Sequence, residues 1–308
     1  MKWPPLLFAF LMLDSHLPVG AQVTNAVTTT ASAFVCTGSP NYDGGADLTG
    51  LNFGDAGSLA IAPASSSKGE FQTLLQFTLA PGLAQFNATY GSNHWYVSGL
   101  ALQFTSNYGV AGVQPNNPIF NAVSGGRFVV EWLADNDWQQ GAGSPNLPAT
   151  DGVCYDDLPV LLAQPRTMLC TNAYAPPGNN IPVVWPLPLN PHVLAEFTSG
   201  GAVTFRLYAA DQQIGYLFNS AYYGRGNQPF FLVVGSPLLT ILSATFTNGG
   251  FVLTGTGGVS ARYKIQATTN LMTSPWQTIG TTTTDTTGFL QFSDPAALSP
   301  QRYYRLSQ

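Results

Sequence analysis

Tyr263-Lys264-Ile265-Gln266-Ala267 alternates apolar and polar side chains, and the strings on either side of it keep the same short rhythm. A period of two sends successive side chains to opposite faces of an extended chain, the pattern of a strand with one face in a core. Strand-like runs follow the same habit at 238–246, at 251–254 after the Asn248-Gly249-Gly250 turn, and at 276–284. Two more lie at 289–292, after Asp285-Thr286-Thr287-Gly288, and at Tyr303-Tyr304-Arg305-Leu306. Short strands separated by turn signals roughly every 8–12 residues predict a small β-sandwich over residues 238–308.

Gly235-Ser236-Pro237 separates that block from a larger one, residues 22–236, that is also written in strands. Candidate strands there are 32–36, 59–61, 73–79, 97–104, 128–133, 193–198, 203–208, 215–218 and 230–234. No fixed-period repeat is visible, which disfavours a propeller or a solenoid. The larger block suits a single two-sheet jelly roll, and the chain as a whole reads as all-β. Composition agrees. The 308 residues include 32 Gly and 23 Pro but are only 8% charged, against about 25% in an average soluble protein. Long amphipathic helices need the reverse, so bundles and coiled coils are excluded. Ten scattered cations in a chain of net charge −5 offer nothing to track a phosphate backbone, so nucleic acid is not an expected partner. Aromatic residues at 12% argue against disorder.

Met1-Lys2, an apolar stretch over 3–13 and the small residues of Val19-Gly20-Ala21 form a secretory leader pattern, with cleavage expected after Ala21. The competing reading is a buried N-terminal strand. The apolar run is shorter than the roughly 20 residues needed to cross a bilayer, so no membrane span is expected and the mature chain is placed outside the cell or at its surface. Export permits disulfides. Cys36, Cys154 and Cys170 are an odd set, which leaves at least one thiol unpaired in the monomer. A Cys154–Cys170 bridge would close one proline-containing loop and stabilise the fold by about 3 kcal/mol in the chain-entropy view. The alternative is three free cysteines packed as small hydrophobes.

The C-terminal block resembles a known module type. Residues 263–271, Trp276, residues 288–294 and Arg302-Tyr303-Tyr304-Arg305 are similar to the immunoglobulin/fibronectin-III-like repeat at the C-termini of many secreted bacterial proteins. That resemblance implies a spacer or docking module without catalytic residues. In the larger block, Ala31-Ser32-Ala33-Phe34, Leu51-Asn52-Phe53-Gly54, Leu59-Ala60-Ile61 and the strand from Leu74 to Leu79 resemble the opening of the DNRLRE-type family of secreted jelly rolls. Trp138, Gly141-Ala142-Gly143, Gly152-Val153-Cys154-Tyr155, residues 216–220 and residues 229–234 continue the likeness, although the family's name motif is absent. The resemblance implies a domain similar to carbohydrate-binding modules.

Glycan binding needs flat aromatic faces ringed by hydrogen-bonding side chains. Tyr222, Tyr223, Arg225 and Asn227, in a glycine-flanked stretch that reads as a loop, are the first candidates, with Trp95 and Trp138 after them. Calcium wants six to eight oxygens on a tight loop. Asp135 and Asp137, and Asp43 and Asp47, are the candidate ligands of a structural calcium ion, the one cofactor considered. Their alternative is turn capping in water. Hydrolytic carboxylates could come from Glu131, Asp135, Asp137 and Glu196, yet no nucleophile elbow, zinc-binding helix or phosphate loop is present. The expectation is a secreted non-catalytic protein that binds extracellular polysaccharide or a cell-surface component. The alternatives are a self-associating surface or matrix protein, joined by strand edges or Cys36, and, third, a glycoside-acting enzyme. The oligomeric state is left open.

Overall fold

The computed structural model describes residues 8–11, 22–40, 45–107, 120, 125–174, 181–223, 227–247, 250–258, 260–272, 275–295 and 301–307. It is built mostly from strands, and the all-β sandwich character expected from the sequence holds. Two compact units divide the chain. The larger comprises Asn25–Leu83 and Gly99–Val233; the smaller comprises Met1–Thr24, Ala84–Ser98 and Val234–Gln308.

Strands β2 (Val23–Cys36), β4 (Phe71–Thr78), β5 (Trp95–Thr105), β6 (Gly126–Leu133), β7 (Arg166–Tyr174), β8 (Pro182–Leu187), β9 (Ala202–Ala209) and β11 (Phe230–Pro237) form one sheet, in the order β7-β6-β9-β4-β2-β11-β5-β8. Its outermost strands, β7 and β8, approach each other, with Cys170 Sγ 4.0 Å from the Pro186 carbonyl, so the sheet is rolled almost shut. A ribbon of β3 (Ser58–Ile61) and β10 (Tyr216–Asn219) accompanies it.

The register sorts the side chains. Leu75 and Phe205 are opposite one another, as are Phe77 and Val203, and Trp132 and Phe205, so all of these share the inner face. There Phe77, Phe205 and Phe231 pack with ring centroids 5.3 to 6.1 Å apart. Leu74 faces Arg206, and Glu131 faces the same Arg206, so these residues share the outer face. That face is not left to water. The segment that leaves β6 and returns at β7 covers it and builds a second core of Ala33, Val35, Leu74, Leu133, Trp138, Val153, Leu158 and Leu161. Burial on both faces explains why neighbouring Leu74 and Leu75 are both fully buried.

This cover has little regular structure, so its backbone groups need partners. The buried Asn52 binds four backbone groups, three in the cover and a fourth, Gly54, in its own loop. Its Nδ2 donates to the Gln140 and Val153 carbonyls at 2.6 and 2.8 Å, and its Oδ1 accepts from the Gly54 and Gly143 amides at 3.0 Å each. Gly141 sits at φ +73°, where a Cβ is disfavoured, and a side chain there would also run into Asn52.

Several elements depart from the sequence reading. Residues 193–198, read as a strand, lie in helix α3 (Pro191–Ser199). Asn190 caps it by accepting from the His192 and Val193 amides, Pro191 opens it, and Gly200 closes it in the left-handed region at φ +70°. Helix α1 (Ala80–Tyr90) and strands β7 and β8 were not anticipated either. The proline-containing loop expected between Cys154 and Cys170 contains a short helix, α2 (Leu158–Leu161), and the first half of β7. The block 22–236 is also not contiguous. Residues 84–98 pack with the C-terminal unit: the Tyr90 hydroxyl donates to the Gly235 carbonyl at 2.9 Å, the Leu238 amide to the His94 carbonyl at 2.7 Å, and the Ser236 hydroxyl to Ser98 Oγ at 2.7 Å.

In the smaller unit, β12 (Thr240–Thr247), β13 (Gly250–Thr256) and β16 (Phe289–Asp294) form one sheet in that order. The second runs β1 (Phe8–Leu11), β17 (Gln301–Ser307), β14 (Arg262–Thr268), β15 (Gln277–Thr283). Tyr263, Ile265 and Ala267 point into the core with Phe251, Leu253, Leu290, Tyr304 and Leu306, as the alternation predicts. Phe251 and Tyr304 stack at 4.0 Å. The Asp285 turn forms, its Oδ1 accepting from the Thr287 and Phe289 amides, with Gly288 at φ +81°, but it does not close the hairpin expected from the sequence: β15 pairs with β14 and β16 with β13, so the turn passes from one sheet to the other.

Asn52→Leu keeps the side-chain size but strands two carbonyls and two amides. It is expected to cost about 3–5 kcal/mol in chemical denaturation, against about 0.5 kcal/mol or less for a substitution at exposed Leu147.

Candidate functional site

Strand β10 ends in a turn that carries the candidate aromatic residues. Ser220 is buried, donates its hydroxyl to the Ala56 carbonyl, and accepts the Tyr222 amide on the same oxygen at 3.0 Å. The Ser220 amide also donates to the Gly57 carbonyl, and the Tyr223 amide to the Ser220 carbonyl. These bonds fix a single turn of 3₁₀ helix, Ala221–Tyr223, from which Tyr222 projects with 54% of its surface exposed. Tyr223 is half-buried beside it and Asn227 is exposed; Arg225 lies outside the described residues. Asn219, immediately before the turn, is fully buried, and neither atom of its amide has a partner among the described residues. Deeper on β10, burial drives the Tyr216 phenol upward, opposed in smaller measure by the facing side chains of Ser106 and Trp185.

Both tryptophan candidates are less exposed than Tyr222. Trp138 is 8% exposed, belongs to the second core, and donates its indole N–H to Thr204 Oγ1 at 3.2 Å. Trp95 belongs to the smaller unit, is half-buried, packs edge-on against Phe86, and donates to Asn87 Oδ1 at 2.9 Å. A large ring in a two-layer β fold gains more from burial than from exposure, and both follow that rule.

Two of the four candidate aspartates cap turns. Asp135 Oδ1 accepts the Asp137 amide at 2.9 Å, and Asp47 Oδ1 accepts the Thr49 amide at 3.0 Å. That bond, with a second from the Thr49 side chain, holds the Asp47 carboxyl below the usual range. Asp43 lies outside the described residues. Among the described residues no three His, Cys, Asp or Glu side chains converge as a metal site.

The three cysteines are free, which corrects the expected Cys154–Cys170 bridge. Cys154 Sγ donates to Asp157 Oδ2 at 3.2 Å in the capped turn before α2, whereas Cys170 lies within β7 beside Asn172 Nδ2 at 3.4 Å. Cys36 is 1% exposed, and burial pushes its thiol up to about 12, which removes it as a point of attachment between copies.

A polar constellation that sequence reading did not assemble runs across the outer face. Arg166 on β7 stands 4.0 Å from Glu131 on β6. Glu131 accepts from Arg206 Nη1 at 2.8 Å, and Arg206 Nε donates to Gln72 Oε1 at 2.6 Å. Gln72 Nε2 donates to Glu70 at 2.6 Å, and Glu70 accepts the Tyr155 hydroxyl at 2.7 Å. Arg206 also lies 4.2 Å over the Tyr208 ring. Glu131, Arg206 and Gln72 are each under 9% exposed. The signal that could have found this pair is a lone charge inside each of two apolar strands, Val129-Val130-Glu131-Trp132-Leu133 and Val203-Thr204-Phe205-Arg206-Leu207. A charge so placed must be paired. Chemically, the chain ties the sheet to the covering segment through Tyr155, and each carboxylate is already taken up by its neighbours.

No protein-family model and no curated protein matches the chain. Among solved structures, it is similar to a Ruminococcus gnavus β-glucuronidase in complex with uronic isofagomine (8% identity, TM-score 0.24, 96% of this chain and 41% of that one). A Lactobacillus rhamnosus β-glucuronidase gives 9% identity, TM-score 0.22 and coverages of 94% and 40%. A β-1,2-glucanase from Parabacteroides distasonis gives 9%, 0.15, 83% and 37%. The chain spans about two fifths of the length of these enzymes, and TM-scores this low carry no argument about fold or activity.

Two outcomes are expected. Thiol titration in denaturant without reductant gives three thiols per chain, and a count of one would restore the bridge. Burial, and next the bond to Glu70, raise Tyr155 to about 12 from an ordinary 10, so the folded state favours the neutral phenol. The stabilisation is full below about pH 10 and is lost as pH rises through about 12. Tyr155→Phe therefore costs about 1–2 kcal/mol at neutral pH, and its deficit against the parent protein narrows over that alkaline window in urea titrations.

Proposed function

We propose that the chain is a secreted, non-catalytic protein that binds extracellular polysaccharide on the larger unit, with the smaller C-terminal unit as spacer or docking module. One observation carries the reading. Among the described residues of the larger unit, Tyr222 is the exposed aromatic side chain, and it stands on a backbone already fixed by Ser220. A ring held in advance pays little ordering entropy when the apolar face of a sugar lands on it. Half-buried Tyr223 widens the apolar surface, and exposed Asn227 offers both a donor and an acceptor to hydroxyls.

The absence of catalysis in this reading is supported by what the carboxylates do. Glu131 is held by Arg206, and Glu70 by Gln72 and Tyr155, so neither stands free as an acid, base or nucleophile. Self-association, the second reading, is favoured by a different feature, the exposed apolar residues of β12, and does not involve the Tyr222 turn.

Affinity electrophoresis of the protein through gels containing a panel of polysaccharides tests the proposal. Retardation is expected on at least one polymer. Tyr222→Ala weakens it by tenfold or more, about 1.4 kcal/mol. Tyr96→Ala, which removes an exposed tyrosine of the smaller unit, leaves it unchanged. Migration unaltered by every polymer would sink the reading.

A further inference from the structure

Strand β17 has β14 on one side and β1 on the other. The β1 segment runs parallel to β17 in continuous register, Phe8 opposite Gln301, Ala9 opposite Arg302, Phe10 opposite Tyr303 and Leu11 opposite Tyr304. These four residues lie inside the apolar stretch read from sequence as the core of a leader cleaved after Ala21. Cleavage would take β1 away and leave one side of β17 with a row of unpaired N–H and C=O groups. The other sheet of the same unit has an open edge too, since among the described residues β12 is paired with β13 alone.

We propose that the outer edge of β17 is a strand-acceptor site, filled in cis by Phe8–Leu11 in the uncleaved chain and, after cleavage, by β12 of a second copy of this chain. The proposal rests on the leader reading and is independent of glycan binding at Tyr222. Three observations carry it. The edge is already engaged by a strand, so its backbone is competent to extend the sheet. The donor, Thr240-Ile241-Leu242-Ser243-Ala244-Thr245-Phe246-Thr247, has no charge or proline, two devices by which natural edges refuse partners, and its one irregularity is a register shift against β13 between Ile241 and Ser243. It also exposes Leu242 at 58% and Phe246 at 43%. Finally, the cations of β17 are occupied within the unit: Arg302 pairs with Asp294 at 3.3 Å, and Arg305 lies over the Trp276 ring and donates to Gln266 at 2.8 Å. An uncharged guest strand therefore meets no unmatched charge.

Donor and acceptor edges belong to different sheets of one unit, so each copy carries one of each. The contact is heterologous, and such contacts close into rings or propagate as filaments. Main-chain bonds supply the affinity, as in other cases of strand addition.

The test uses the chain beginning at residue 22, examined by sedimentation velocity over a range of concentrations. The probe is a synthetic peptide of residues 6–13 with solubilising lysine tails, and its control is the same peptide N-methylated at alternate amides. Concentration-dependent oligomers are expected, and the peptide returns them to monomer while the N-methylated form does not. The Leu242→Lys/Phe246→Lys variant is expected to stay monomeric yet still bind the labelled peptide, which separates loss of the donor from loss of folding. A chain that is monomeric throughout would refute assembly at this edge. Oligomers that ignore the peptide would place the contact elsewhere, and a double variant that still assembles would remove β12 as donor.

Discussion

The amide of Asn52 is the constraint on which the larger unit depends. A sheet that rolls up buries its inner face by closure alone, but its outer face across β6, β9 and β4 carries Leu74 and Leu133 and has to be covered. The cover between β6 and β7 has little ladder of its own, so its carbonyls and amides would be buried without partners. Asn52 answers with two donors to Gln140 and Val153 and an acceptor for Gly143, and the same oxygen also takes the Gly54 amide of its own loop. Glycines 141, 143 and 152 crowd against it, since any Cβ there would collide with Asn52 or with the backbone beside it. Aspartate could not substitute, because it donates nothing, and leucine would satisfy none of the four.

The Glu131–Arg206 pair follows from the same covering. Once the segment lies over the sheet, both charges are out of water, where a buried pair gains little over apolar side chains but is costly to break. Gln72, Glu70 and Tyr155 extend the pair into a chain of hydrogen bonds, and Tyr155 belongs to the cover itself. The network therefore registers cover against sheet.

Period-two alternation made most of the strands legible, and nowhere more clearly than at Tyr263, Ile265 and Ala267, which are buried as written. Turn chemistry was equally plain at Asp285 and Gly288. Residues 193–198 misled because an apolar run of that length serves a strand and a buried helix alike; Asn190, Pro191 and Gly200 held the deciding information in their caps. Strands β7 and β8 were hidden for the opposite reason. Half their residues face water, so Arg166-Thr167-Met168 and Pro182-Val183-Val184 look like loop. The exchange of residues 84–98 into the smaller unit is a long-range fact, carried by Tyr90, His94 and Ser98 meeting residues about 140 positions away, and nothing local announces it. In the candidate site, Tyr222 was legible because glycine flanks its loop, while Trp95 and Trp138 were not, since residue type alone does not say which side of a sheet a ring occupies.

The two units dispose of their strand edges in opposite ways, and that difference sets what each can do. In the larger one, β7 and β8 come together and the sheet nearly closes, so few main-chain groups are left for a partner. Recognition there has to use side chains on the connections, and the Ser220-anchored turn is a connection whose geometry is fixed before any ligand arrives. The smaller unit keeps two separate sheets, and closure is not available to it. Its edges must be blocked by charge, covered by another segment or paired. β12 has no charge to block with, and β17 is covered by a strand that the leader reading marks for removal. If cleavage removes β1, pairing is what remains for the β17 edge, and the proposed side-chain recognition and main-chain association then belong to different units.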